Sequence, residues 1–293
     1  MSTGCAATPP EPPPMRNAMS VDVEDWFQVG AFETVIARED WPRLESRVEA
    51  NTDRVLALFA ETGTRATFFT LGWVAERAPG LIRRIAEAGH EVASHGWDHQ
   101  RVFTFTPDQF RADVARARKA LEDAGGVAVT GYRAPSFSID ARTPWAHAVL
   151  AETGHLYSSS VAPVRHDHYG WPDAPPHPFR PLAGSDLIEW PITTARVLGR
   201  QVPAGGGFFR LLPGAITERA VARANAGEGR PAMFYFHPWE IDAGQPRVAG
   251  APMRSRVRHY ARLGAMEGKL RRLLRRHRWG RADAIVAAEA QRA

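Results

Sequence analysis

Short apolar runs alternate with longer amphipathic ones through most of this chain, and the amphipathic runs end alike. They close as "ETG" at Gly63, "EAG" at Gly89, "DAG" at Gly125 and "ETG" at Gly154, where glycine suits the left-handed position that follows a helix. Each closure leads into a strand-like segment: "TRATFFT", "HEVASH", "VAVTGYR" and "HLYSSSV". The intervals of 26, 36 and 29 residues are those of βα units rather than of a strict repeat. "RVEANTDRVLALFAETG" predicts a helix with Val55, Leu58 and Phe59 on one stripe. "PGLIRRIAEAG" predicts a second, with Pro79 near its start. "TPDQFRADVARARKALEDAG" predicts a third, capped by Thr106 with Pro107 at the first helical position. The fold class is therefore α/β, a largely parallel sheet or barrel with helices outside. Periodicity alone leaves an open doubly wound sheet as the rival.

The pattern lapses in two places. Residues 1–17 carry five prolines and read as a tail. From about Val161 to Ala183 the chain shows no period, and a loop this long inside a compact domain is usually functional or disordered. Its Tyr169 and Trp171 argue against simple disorder. Regular segments resume with "DLIEWPIT", "GGGFFRLL", a helix through "AITERAVARANA" and the strand "PAMFYFHPW". The last 40 or so residues look helical, with Leu270, Leu273 and Leu274 on one stripe. The expected division is a tail over 1–17, a barrel over 18–250, and a basic helical extension over 251–293 packed on the barrel.

Composition narrows the class. An apolar content of 44% over 293 residues suits a globular protein with a substantial core. The single cysteine, Cys5, excludes an internal disulfide and a cysteine metal cluster. No apolar run reaches the length of a bilayer, and the first residues lack the basic-then-apolar order of a secretory signal, so a cytoplasmic location is expected. The net charge of +5 is concentrated in "KLRRLLRRHRWGR". That run reads as a packed amphipathic helix with a solvated arginine face, or as a peripheral contact with an anionic glycan or the inner membrane surface. No nucleic-acid motif accompanies it, and no nucleic-acid partner is expected.

Candidate chemistry sits at strand ends, where α/β folds gather their sites. In "SVDVEDWF" an extended backbone puts Asp22 and Glu24 on one face and Val23 and Asp25 on the other. A turn starting at Glu24 would let Asp25 replace it. "SHGWDHQ" sets His95 and His99 four apart after the strand "EVA", and a turn of helix would stack them. Two imidazoles and one carboxylate leave an open position on zinc, the catalytic rather than the structural pattern. Arg133 in "GYRAPSF" is held among small residues and suits a bidentate clamp on a carboxylate. His237 ends the apolar strand in "MFYFHPWE" and is an acid or base candidate.

These segments, in this order, resemble the motifs of the polysaccharide deacetylases of carbohydrate esterase family 4, the NodB-homology domain. Within it, "VDVEDWF", "GYRAPSFS", "YGWP", "GGGFFRLLP" and "FHPWE" look most like the bacterial exopolysaccharide (exosortase-locus) subfamily. The resemblance runs from about Asn17 onward. It implies a distorted (β/α)7 barrel and metal-dependent removal of acetyl groups from sugars. On this chain it implies Asp22 as catalytic base, His95 and His99 as ligands of a divalent ion expected to be Zn2+, Arg133 as the residue orienting the base, and His237 as general acid. The usual adjacent aspartate pair is interrupted by Val23, so Glu24 is the expected third ligand and Asp25 its rival. The backbone N–H of Ser136 is the expected oxyanion donor. "DLIEWP" fits the acidic-Trp motif loosely, offering Asp186 and Glu189 to tune the acid.

The implied substrate is an acetylated glycan or its lipid-linked precursor. Trp26, Trp97, Tyr169, Trp171 and Trp239 lie in or beside the proposed site loops and could face a pyranose. Two other classes compete: a related barrel amidohydrolase acting on a small linear or cyclic amide, and a carbohydrate-binding protein without catalysis.

Overall fold

The computed structural model describes residues 15–166 and 169–290. Strand β1 (Asn17–Val23) leads to helix α1 (Val48–Thr62), β2 (Thr67–Thr70), α2 (Gly72–Arg77), α3 (Pro79–Glu87) and β3 (Glu91–Ser94). Then come α4 (Pro107–Gly125), β4 (Gly131–Tyr132), α5 (Ala146–Glu152), β5 (Tyr157–Ser158) and β6 (Ile188–Glu189). The remainder comprises β7 (Thr194–Val197), β8 (Arg200–Pro203), α6 (Gly206–Leu211), α7 (Gly214–Ala222), β9 (Met233–Phe236), α8 (Met253–Tyr260), α9 (Leu263–Arg276), β10 (Trp279–Gly280) and α10 (Ala282–Ala290).

Seven parallel strands, β9-β1-β2-β3-β4-β5-β6, curl into an open half-barrel, and short β10 pairs with the start of β1. Among the described residues no ladder joins β6 to β9. Thr193, just past β6, crosses that seam by donating its N–H to the Met233 carbonyl (3.0 Å). The α/β expectation is met, with the barrel open rather than closed.

Strand parity sets the two faces. On β1, Met19, Val21 and Val23 join the cluster packed under α1, α3 and α9, while Ala18 joins Phe69, Ala93, Tyr157 and Tyr235 in the interior. Ser20 and Asp22 share that interior side, where both meet Arg133. Thr106 caps α4 in a full capping box with Gln109. Gly63, Gly89 and Gly154 are left-handed as expected, but Gly125 remains helical and Gly126 (φ 65°) ends α4 instead.

The structure also types segments that the hydrophobic pattern left open. "GGGFFRLL" is helix α6, and "TARVLGRQVP" is an antiparallel hairpin, β7–β8, turning at Leu198-Gly199 where the hydrophobic pattern marks no turn. The basic stretch near the end does form the packed helix α9, and the short strand β10 follows it within a segment expected to be helical. Arg271 and Arg275 of α9 pair with Glu61, and Arg276 pairs with Glu218. These arginines are therefore bound to the protein's own carboxylates. No described helix is long and apolar enough to cross a membrane.

Candidate active site

The strand ends of β1, β3, β4 and β9 meet over a cavity of about 570 Å³. Asp22, the last inward residue of β1, accepts from Arg133 Nη1 at 2.6 Å. Arg133 is wholly buried beyond β4 and donates also to Ser20 Oγ (2.8 Å), Ser159 O (3.0 Å) and Ser159 Oγ (2.9 Å). Its face lies 4.1 Å from the Phe69 ring centroid. The clamp is thus one nitrogen on one oxygen, not the expected bidentate pair. The serine contacts and the Phe69 ring fix the guanidinium and leave Asp22 Oδ2 on the cavity side.

Glu24, His95 and His99 converge, each with one ligand atom within 4.8 Å of the others. His95 Nδ1 lies 2.8 Å from the Arg133 carbonyl, to which it donates, so Nε2 carries the free lone pair. Burial pushes the His95 imidazole down to about 4, which keeps it neutral, as a metal ligand must be. His99 Nε2 lies 2.8 Å from the buried Glu24 Oε2. Ligands each about 2 Å from one ion stand about 3 Å apart. The donor set therefore fits a divalent cation. Burial works to raise the Glu24 pKa, but His99, His237 and His95 outweigh it and hold the carboxyl well below the usual range.

The histidines are not stacked by a helical turn. Gly96 (φ 74°) and His99 (φ 62°) fold the loop back, placing the rings 5.5 Å apart. Asp25 points away, accepting from Arg47 N–H (2.8 Å), Val48 N–H (3.2 Å) and Ser46 Oγ (2.8 Å) at the start of α1. It is a helix anchor outside the triad.

His237 closes the site from β9. Its Nε2 is 3.9 Å from Asp22 Oδ2 and 3.7 Å from Glu24 Oε1. Its Nδ1 is 3.1 Å from Glu240 Oε2, which also accepts the His237 backbone N–H at 3.1 Å. Burial alone would lower its pKa, but Glu24, Glu240 and Asp22 raise it to about 9. Glu240 is absent from the residues expected on sequence grounds, although "HPWE" has the spacing of a capping box. It is held in turn by buried Arg210 Nε at 3.1 Å. Glu189, expected to tune the acid, instead accepts from Ser160 and Val161 N–H and pairs with His147 (3.0 Å). Asp186 is solvent-exposed and pairs with Arg180. Neither is brought to His237.

The aromatic residues divide. Trp239 and Tyr169 line the cavity, as does Ser136, whose backbone is left-handed (φ 55°). Trp239 also donates its indole N–H to Glu24 Oε1 (3.1 Å) and stacks between His237 and His259. The other three do not line it. Trp26 is buried with its N–H on the Glu45 carbonyl, Trp97 lies under Arg116, and Trp171 packs with the cluster around Phe110 and Tyr132. His166 stacks on Tyr169 at the cavity wall; Asp167 and His168 lie outside the described residues.

The model of the family described as polysaccharide deacetylase matches residues 38–156. The peptidoglycan-N-acetylglucosamine deacetylase of Bacillus cereus is 29% identical over 103 residues, 35% of this chain and 36% of that protein. The peptidoglycan deacetylase of Helicobacter pylori is 30% identical over 113 residues, 39% of this chain and 38% of that protein. Residues 38–156 of the chain are thus similar to the polysaccharide deacetylases. The stretches shared with these two family members span little more than a third of their lengths. A domain of unknown function matches residues 159–287, so the deacetylase family model covers His95, His99 and Arg133 while His237 and Glu240 fall in the second match. Asp22 and Glu24 precede both. The structure of a Mycobacterium smegmatis protein, provisionally assigned as a polysaccharide deacetylase, is similar in fold, with a TM-score of 0.60 and 23% identity, covering 98% of this chain and 95% of that one.

Proposed function

We propose that this protein is a metal-dependent hydrolase removing acetyl groups from N-acetylated sugar units of a bacterial exopolysaccharide or its precursor. The observation that carries this reading is the convergence of His237 and Asp22, 3.9 Å apart, beside the Glu24, His95 and His99 triad. The relatives' names support an N-acetylhexosamine unit.

Glu24, His95 and His99 would hold the ion, which we take as zinc; when bound, it polarises the acetyl carbonyl and acidifies a water. Asp22, fixed through Oδ1 by Arg133, takes the water's proton on Oδ2. The Ser136 N–H is the proposed donor to the oxyanion. His237, its Nδ1 held by Glu240, presents Nε2 to the departing amine and protonates it. An amine leaves poorly without that proton, so His237→Ala lowers kcat by roughly 10²–10⁴-fold.

The test couples metal analysis to acetate release from N-acetylated oligosaccharides. Wild type releases acetate only when loaded. His99→Ala loses the ion, whereas Asp22→Asn and His237→Ala retain it and lose turnover. Full metal content and full activity in His99→Ala would overturn the assignment. Activity confined to small amides would move the reading to the barrel amidohydrolases.

A further inference from the structure

The cleft's cations are unevenly committed. Arg133 is bound to Asp22, Ser20 and Ser159. Arg101 pairs with Glu33 at 2.8 Å. Arg210 pairs with Glu240 and caps the carbonyls of Arg258 (2.7 Å), His259 (2.5 Å) and Ala261 (2.8 Å). Arg258, on α8, lines the same cavity half-buried, and its guanidinium has no hydrogen bond or ion pair among the described residues.

Its backbone is nevertheless rigidly held. Besides the Arg210 clamp, the adjacent His259 stacks on Trp239 (4.2 Å, 12°) and shares a 2.5 Å hydrogen bond with Gln245. Tyr169, from the opposite loop, is close enough for Arg258 to oppose the upward push of burial on its phenol. A half-buried guanidinium has lost part of its water, and its planar donor fork matches a carboxylate or phosphate. We propose that Arg258 is an anion subsite of the substrate cleft, and that the preferred substrate is an N-acetylated saccharide carrying a carboxylate or phosphate near the acetylated unit. This rests on the deacetylase reading above and specifies its substrate class.

The test compares three N-acetylglucosamine oligosaccharides of equal length: one neutral, one with a uronate neighbour, one with a phosphate. Wild type is expected to favour at least one anionic compound in kcat/KM by roughly 10–100-fold at low salt, the span of a charge-assisted hydrogen bond. The uronate and phosphate arms identify the source. Arg258→Gln collapses the ratio of anionic to neutral substrate toward one, and Arg258→Lys restores part of it. A wild-type ratio near one, or a ratio unchanged in Arg258→Gln, overturns the subsite. Acetate release from the neutral compound judges the deacetylase reading separately. If no compound releases acetate, calorimetric binding of the same three to wild type and Arg258→Gln decides the anion subsite by the same ratio.

Discussion

At the residue scale, His237 shows how surrounding carboxylates keep a buried imidazole protonated. Burial disfavours its charge, yet three carboxylates reverse the outcome and raise it to about 9. The proposed acid role requires the protonated form, so turnover is expected to hold below that pKa and to fall as pH rises through it. The Glu24 charge is partly neutralised when a cation is bound, which draws the limb below 9. Glu240→Gln removes a negative charge 3.1 Å from Nδ1. The basic limb of the kcat–pH profile therefore moves to lower pH, with a kcat loss on the order of tenfold or more. A uniform loss at every pH, with the limb unmoved, would mean that Glu240 acts only structurally. Alternation along β1 makes Asp22 and Glu24 legible as a pair in the amino-acid sequence alone. Glu240 stays hidden there because its partner lies three residues back through a turn, where neither helix nor strand periodicity applies.

At the element scale, the loops rather than the regular segments complete the site. His99 and Ser136 both hold positive φ without being glycine. This conformation is uncommon and concentrates at functional sites. No sequence period announces it, so the spacing of the histidines is legible and the fold of their loop is not. Helix ends are more readable. Thr106 and Gln109 satisfy each other at the start of α4 at 3.3 and 2.8 Å. Thr106→Ala should cost about 1 kcal/mol, read as a lower urea midpoint with kcat/KM unchanged. The β7–β8 hairpin gives little signal because its turn, Leu198-Gly199, lacks the usual Asn or Asp before glycine.

At the scale of the whole molecule, the last helix is fastened to the base of the barrel. Ala282 N–H donates to Thr67 Oγ1 (2.8 Å) and Asp283 N–H to Glu91 Oε2 (3.1 Å). Glu91 also accepts from Thr67 Oγ1 and Tyr157 OH. Burial, then the Asp283 carboxylate, pushes Glu91 up to about 8. The folded state therefore holds a proton that the unfolded chain releases near the ordinary glutamate value of 4.5. Between these values stability declines as pH rises. Glu91→Gln should flatten that decline, measured as Tm against pH from 5 to 8; an unchanged slope would place its origin elsewhere.

Lost α10 contacts would be felt at the floor of the barrel, opposite the chemistry. The order of the site along the chain has a different result. Glu24, His95 and His99 are all in place by the hundredth residue, whereas His237 arrives only with β9, the strand that lies against β1. The proposed ion ligands and the proposed acid are thus far apart along the chain, and the parallel ladder between β1 and β9 is what brings them to one site.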